Sequence, residues 1–416
     1  MTARIQAAFP ALAVPMYRRY ISASMLASIG VFMQQTATGW LVLILTESPA
    51  LLGLATAAYW LPSLLLAVFA GVVADRVDRR RLLVGCNVVA GLCALVLALA
   101  TTLGVVEYWH VLLISLLLGL TFTVQQPANQ AVVSTLVPRE ALGSAIALNA
   151  AQFNLLRIVA PGVAGLFIAA DALELGFWVN GVALLIVATL IAGIAIPSTH
   201  LVDRAQAAVL SELRDGVRYV AGSRALLTIV LLPAVPALLV LNYNTFIPIY
   251  ARDILATGPQ GIGLLIGAVG AGALAGSLSL AALRPSGGSG RLIVGSMLIV
   301  GVSLATFAVS RFLPLSMVAL LLIGAFQVQF YSTTNVLIQV LVPAGMHGRV
   351  LSLYLLTSIG LIPVASLAGG ALAEVFGVEA VLAGGGILTV TIALGVAVLE
   401  REILRLKAAQ VQGRAA

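Results

Sequence analysis

The sequence predicts an all-α membrane protein with twelve transmembrane helices in two pseudosymmetric six-helix bundles. Three observations predict it. Apolar residues make up 61% of the chain and charged residues only 9%, against roughly 25% charged in an average soluble domain, so lipid is the solvent for most of it. Apolar runs of about 20 residues, the length that crosses a bilayer, recur twelve times between short polar breaks. The two halves also echo each other at a near-constant offset, as a parallel internal repeat would.

The spans fall near residues 20–45, 51–73, 82–104, 109–136, 142–169 and 175–196, then 225–249, 260–283, 291–310, 314–341, 350–373 and 378–399. This divides the chain into an N-terminal bundle (1–196), a cytoplasmic linker (197–224), a C-terminal bundle (225–400) and a cytoplasmic tail (401–416). Within the linker, Leu210, Leu213, Val217 and Val220 recur at helical spacing opposite charged residues. They read either as an amphipathic helix at the inner membrane interface or as a solvated connection.

The repeat is specific. At an offset of 210, Pro49, Gly53 and Leu54 match Pro259, Gly263 and Leu264, and Arg81, Leu82 and Gly85 match Arg291, Leu292 and Gly295. At an offset of 205, Leu136-Val-Pro138 matches Leu341-Val-Pro343, with Gly143 on Gly348 and Gly165 on Gly370.

Charge sets the orientation. All but three of the 22 Lys and Arg fall on the side shared by the N-terminus, the breaks after even-numbered spans and the tail. Arg252 and Arg311 lie on the other side, and Arg157 lies inside a span. The positive-inside rule then puts both termini in the cytoplasm, with the protein multi-pass in the cytoplasmic (inner) membrane. The net charge of +7 is spread over short loops rather than along one solvated face, which argues against a nucleic-acid partner. The single lysine, Lys407, leaves no phosphate-binding loop of the Gly-x-x-x-x-Gly-Lys type, so an ATP-driven pump in one chain is excluded. Cys86 and Cys93 are seven residues apart, about 10 Å along a helix, too far to bridge. His110, His200 and His347 lie in different loops without ligand spacing, so neither a metal nor another cofactor is expected.

The densest charge is Gly71-Val-Val-Ala-Asp-Arg-Val-Asp-Arg-Arg-Arg81, expected as a short loop between the second and third spans. Its pattern resembles the signature loop of the major facilitator superfamily. The opening Pro15-Met-Tyr-Arg-Arg-Tyr20, with Trp40-Leu-Val-Leu43, Thr46-Glu-Ser-Pro49, Val137-Pro-Arg-Glu140, Ala147-Leu-Asn149 and Phe153-Asn-Leu-Leu-Arg157, is similar to the branch that includes enterobactin exporters and macrolide efflux proteins. The resemblance spans roughly residues 15–400. It implies alternating access, export and proton antiport. It also likens Ala160-Pro-Gly-Val-Ala-Gly165 to the export motif of the fifth helix, although Ala160 stands where a glycine is usual. In Gln126-Pro-Ala-Asn-Gln130, Asn129 replaces the family's usual arginine.

Several residues are candidates for function. Pro161 removes a backbone hydrogen bond, and Gly162 and Gly165 permit close helix approach, either as an export seam or as ordinary packing. Arg157 is the one ionisable residue deep in a span, at a cost of about 2.5–3.5 kcal/mol or more, so it needs water or a partner. It reads either as a site for an anionic or strongly polar cargo or as a donor to carbonyls freed by Pro161. Gln34 and Gln35, Gln126 and Asn129, Asn242 and Asn244, and Gln327, Gln329, Tyr331 and Asn335 supply uncharged polarity for a midline cavity. Some of these amides are expected only to bond helix to helix. For the charged knot, Gly71, Asp75, Arg76 and Arg80 form a gate in one reading, with Asp75 meeting Arg349 and the start of the eleventh helix. In the other reading the knot only anchors topology. No acid lies mid-span, and Glu374 sits near the outer end of the eleventh.

The expected protein is a monomeric secondary exporter in the lipid bilayer. It would move a small amphiphilic molecule, siderophore-like by first choice and drug-like or macrolide by second, against protons. A lipid scramblase and a membrane-embedded enzyme are the alternatives from other classes. The spans show no clustered catalytic side chains, so an enzyme is not expected.

Overall fold

The computed structural model describes residues 9–194, 206–283, 289–400 and 404, apart from the side chains of 67–69, 71, 72, 74–76, 206–213, 281–283 and 344. Twelve helices are long and apolar enough to cross a membrane, and no strand occurs among the described residues. The first six spans are Pro15–Thr46, Pro49–Arg76, Arg79–Thr102, Tyr108–Leu136, Arg139–Ala169 and Glu174–Ala192. The next six are Arg224–Ile254, Gly258–Leu283, Ser289–Val309, Leu313–Leu341, His347–Phe376 and Val378–Leu399. A linker helix, Gln206–Ala221, lies between the two sets. Residues 197–205, His200 among them, and all of the tail except Leu404 lie outside the described residues.

The charged knot is not an eleven-residue loop. The second span stays helical through Arg76, and only Val77 and Asp78 interrupt it before the third begins. Asp78 caps the third span by accepting the Arg81 backbone N–H at 2.9 Å. Asp is a strong N-cap and Arg a good helix former, so a charged run ends the apolar span without ending the helix.

Exposed apolar side chains line the spans. On the third, Leu92, Val96 and Leu99 are each about half exposed at helical spacing, a stripe suited to lipid tails and costly in water.

The chain forms two compact units. One is Met1–Glu47, Ala58–Arg204 and Gly258–Gly263; the other is Ser48–Ala57, Ala205–Thr257 and Leu264–Ala416. In the first, the third span packs on the sixth and fourth, and the first span on the sixth and fifth. In the second, the ninth packs on the twelfth and tenth.

Glycines set the closest approaches. A Cβ on Gly91 would lie 3.2 Å from the Gly181 carbonyl oxygen, and one on Gly181 3.1 Å from that of Gly91. In the second unit, a Cβ on Gly301 would lie 2.8 Å from the Gly386 oxygen, and one on Gly386 2.6 Å from that of Gly301. Gly91 and Gly301 are related by the 210 offset, Gly181 and Gly386 by the 205 offset. The sequence repeat is therefore also a repeat of helix contacts, with small residues letting backbones touch.

The halves differ in helix regularity. The seventh span holds π-helical turns at Pro236–Val240 and Tyr250–Ile254, and the eleventh holds one at Leu356–Gly360. Pro236 opens the first of these turns, and Pro363 follows the last. Prolines withhold a backbone donor, and widened turns are a usual accommodation.

The linker helix packs on the start of the eleventh span. Gly216 makes this possible, because a Cβ there would lie 3.1 Å from the Arg349 Cβ. The expected apolar face divides: Val220 is buried, Val217 is 50% exposed, and the side chains of Leu210 and Leu213 are outside the described residues. The helix uses part of that face against protein because a glycine, rather than an apolar side chain, makes its closest contact.

Candidate functional site

In the first unit the candidates lie on the first, fourth and fifth spans. Arg157 is partly exposed, and no hydrogen bond or ion pair reaches its guanidinium among the described residues. One turn before it, Phe153 meets Phe32 of the first span edge to face at 5.2 Å between centroids. Asn149, Phe153 and Arg157 thus form a stripe at i, i+4 and i+8 that ends in an unpaired cation. The Arg157 guanidinium therefore does not donate to carbonyls freed by Pro161. Gln126 is exposed on the fourth span. Asn129 meets the Tyr20 hydroxyl at 3.4 Å, and Gln35 meets the Tyr59 hydroxyl.

Gln34 behaves otherwise. It is 3% exposed, and its side-chain oxygen accepts a hydrogen bond from Asn180 of the sixth span. Asn180 fits because residue 30 is glycine: a Cβ there would stand 2.8 Å from the Asn180 Cα. The side-chain oxygen of Gln34 ties helices, while its amide nitrogen is buried without a described partner. A buried amide needs partners, and the neighbouring helix supplies one of them.

In the second unit the tenth span carries most candidates. Gln329 donates to the Ser279 hydroxyl of the eighth span at 2.8 Å, so it too is a helix tie. Asn242 of the seventh span is buried, donates to the Leu238 carbonyl at 3.2 Å, and fills the gap left by Gly369. Asn244, the 210-offset partner of Gln34, is exposed. Asn335 accepts from Gln339 at 2.6 Å.

Three candidates keep unused donors: the Gln34 amide nitrogen in the first unit, and two on the tenth span. Tyr331 has a buried hydroxyl with no hydrogen-bond partner, while its backbone oxygen accepts from the Tyr354 hydroxyl at 3.0 Å. One turn away, the Gln327 amide nitrogen is also buried and unpaired. It borders a small cavity lined by Pro236, Met297, Val300, Phe330 and Thr389. A buried donor without a partner is costly, so each can bind a water or a ligand oxygen.

The gate candidates separate as well. The side chains of Gly71, Asp75 and Arg76 lie outside the described residues. Arg80 donates to the Ala192 carbonyl, where a cation complements the last turn of the sixth span. Arg349 donates to Asp215 of the linker helix at 3.3 Å. At the export motif, a Cβ on Gly165 would lie 2.7 Å from the Pro259 carbonyl oxygen, whereas one on Gly162 would meet nothing within 4 Å. Gly162 contributes its backbone instead, against Gly263. No group of three His, Cys, Asp or Glu side chains suited to a metal occurs among the described residues.

Twelve spans, a repeated six-helix pattern and polar side chains within the spans define a multi-pass membrane transporter of the major facilitator fold. The chain belongs to the transmembrane secretion effector family, whose model matches residues 6–414. It is 23% identical to the staphyloferrin A transporter of Staphylococcus aureus over 91% of this chain and 95% of that protein. It is 25% identical to macrolide efflux protein A of Streptococcus pyogenes over 74% and 77% of the two chains. Identity to the multidrug efflux pump Tap of Mycolicibacterium fortuitum is also 25%, over 86% and 89%. Among solved structures, the nucleoside transporter NupG superposes with a TM-score of 0.74 at 12% identity, over 92% and 98% of the two chains. A bacterial homologue of the iron transporter ferroportin gives 0.73 at 16%, over 91% and 98%. These two share the fold. The family and its relatives are transporters, not enzymes.

Proposed function

We propose that this transporter exports a small polar or anionic amphiphile, siderophore-like in chemistry, across the cytoplasmic membrane by alternating access. It works as a monomer with both termini inside, and protons move in exchange. The observation that carries this reading is the Arg157 guanidinium, placed within a span with no described acid or carbonyl to neutralise it. A charge kept there at such cost is suited to meeting an anion that arrives and leaves. Gln126, in the same unit as Arg157, offers a hydrogen bond of the kind a hydroxyl- or carboxylate-bearing molecule needs. The staphyloferrin A transporter among the relatives agrees with a polar cargo. The macrolide and multidrug pumps favour the second reading, efflux of a bulkier amphiphile, for which Phe32 and Phe153 supply an aromatic contact.

The test is uptake into everted vesicles of a polycarboxylate chelator and of a macrolide, each with and without a pH gradient, by the native protein and by Arg157→Ala and Arg157→Lys. Gradient-driven uptake of the chelator that falls at least tenfold in Arg157→Ala, and recovers in part with lysine, supports the first reading. Macrolide uptake indifferent to Arg157 replaces it with the second.

A further inference from the structure

Glu374 is the single acid of the eleventh span and is exposed. Its Oε2 accepts the Ser48 hydroxyl at 2.7 Å and the Ala50 backbone N–H at 3.1 Å. The Ser48 oxygen in turn accepts the Leu51 N–H at 3.2 Å. The carboxylate therefore closes the first turn of the second span, where free N–H groups and the helix dipole both favour an anion. One turn further in, the backbones touch. A Cβ on Gly370 would lie 2.9 Å from the Pro49 oxygen and 3.0 Å from the Gly53 Cα, and one on Gly53 would strike the Ser366 carbonyl. All these residues belong to the second unit, which takes in Ser48–Ala57.

The first unit holds the related contact. There Pro259 and Gly263 of the eighth span meet Gly165, Gly162 and the Pro161 carbonyl of the fifth. The two offsets carry Pro49 and Gly53 onto Pro259 and Gly263, and Gly370 onto Gly165. They also carry Ser48 onto Gly258 and Glu374 onto Ala169, which have no polar side chain to offer. One glycine crossing is latched by a charge, and its counterpart is not.

We propose that Glu374 is a gating residue: its carboxylate latches the start of the second span onto the eleventh, and release of that latch sets how often the second unit admits outer solution beneath Gly53. This rests on the function proposed above only for which side of the membrane the latch faces.

The test uses labelling and needs no cargo. Ser366→Cys, at a position 1% exposed with its carbonyl under Gly53, is introduced with Cys86→Ser and Cys93→Ser. Its rate of reaction with a membrane-impermeant maleimide is measured in right-side-out and in everted vesicles. Glu374→Gln and Ser48→Ala should each speed labelling in right-side-out vesicles roughly three- to tenfold, the scale of losing hydrogen bonds to an exposed charged acceptor. Glu379→Gln, which breaks only the exposed pair with Arg311, should leave the rate unchanged. Faster labelling confined to everted vesicles keeps the latch and overturns the proposed orientation. Rates unmoved by both latch variants, with Glu374→Gln and Ser48→Ala folded by gel filtration, overturn the latch.

Discussion

The Arg349 guanidinium lies 3.3 Å from the Asp215 carboxylate, pinning the linker helix to the first turns of the eleventh span. Both side chains are substantially exposed, at 31% and 52%, and such surface pairs contribute about 0–1 kcal/mol. Asp215→Asn should therefore move the unfolding temperature little. Gly216→Leu should do more, because its side chain would be driven into the Arg349 backbone, whose oxygen lies 3.3 Å from a Cβ at 216. The expected outcome is faster proteolytic nicking of residues 197–224 in Gly216→Leu than in Asp215→Asn.

The Gln34–Asn180 tie makes a prediction about packing. Gly30→Ala would press a methyl group to 2.8 Å from the Asn180 Cα and should cost about 1–3 kcal/mol, as overpacking does. Losing one amide of the pair strands the other, so Gln34→Leu and Asn180→Leu should each destabilise more than the double substitution. Thermal unfolding in detergent of the four proteins of the cycle checks this.

Arg157 predicts a separation of stability from transport. It has no described partner to strand, so Arg157→Ala should keep the native elution profile and an unfolding temperature no lower than that of the native protein. Removing a cation from a span relieves its burial cost. A marked loss of stability would mean that the guanidinium holds helices together.

The glycines of the fifth span should part company. Gly162→Ala meets open space and should be tolerated, with helix propensity favouring it by about 0.5–1 kcal/mol. Gly165→Ala would set its methyl 2.7 Å from the Pro259 oxygen and should destabilise the first unit by a similar amount or more. A comparison of unfolding temperatures orders the two.

The pseudosymmetric glycines offer a matched pair. Gly301→Ala would bring a Cβ to 2.8 Å from both the Gly386 oxygen and the Val390 side chain, while Gly91→Ala stops at 3.2 Å from its nearest atoms. The first should be the more destabilising, and thermal scans of both variants measure the difference.

The spans and the repeat were legible because hydrocarbon thickness and small-residue packing write directly into composition. The Gly91–Gly181 contact is legible only through the repeat, because the 210 and 205 offsets carry these glycines onto Gly301 and Gly386. The roles of the amides were not legible. Gln34 and Gln126 look alike in sequence, and only a neighbour such as Asn180 beside Gly30 commits one of them to a helix. The knot differs from the loop its charge suggests for a related reason: arginines end an apolar span without ending the helix, and the Asp78 cap starts the next helix after a two-residue break. The π-helical turns left only neighbouring prolines as traces, Pro236, Pro248 and Pro363, and other prolines sit in regular helices, Pro62 and Pro127 among them.

The grouping of Ser48–Ala57 with the second unit has a consequence for synthesis. Pro49 and Gly53 leave the ribosome early, whereas Gly370, the residue they rest against, follows roughly 300 positions later, a wait of about 15–60 s at ordinary elongation rates. During that interval the start of the second helix sits in the bilayer without its mate, its serine cap facing no carboxylate. A newborn chain is thus incomplete until its penultimate helix inserts, and truncations short of it should be prime targets for membrane quality control.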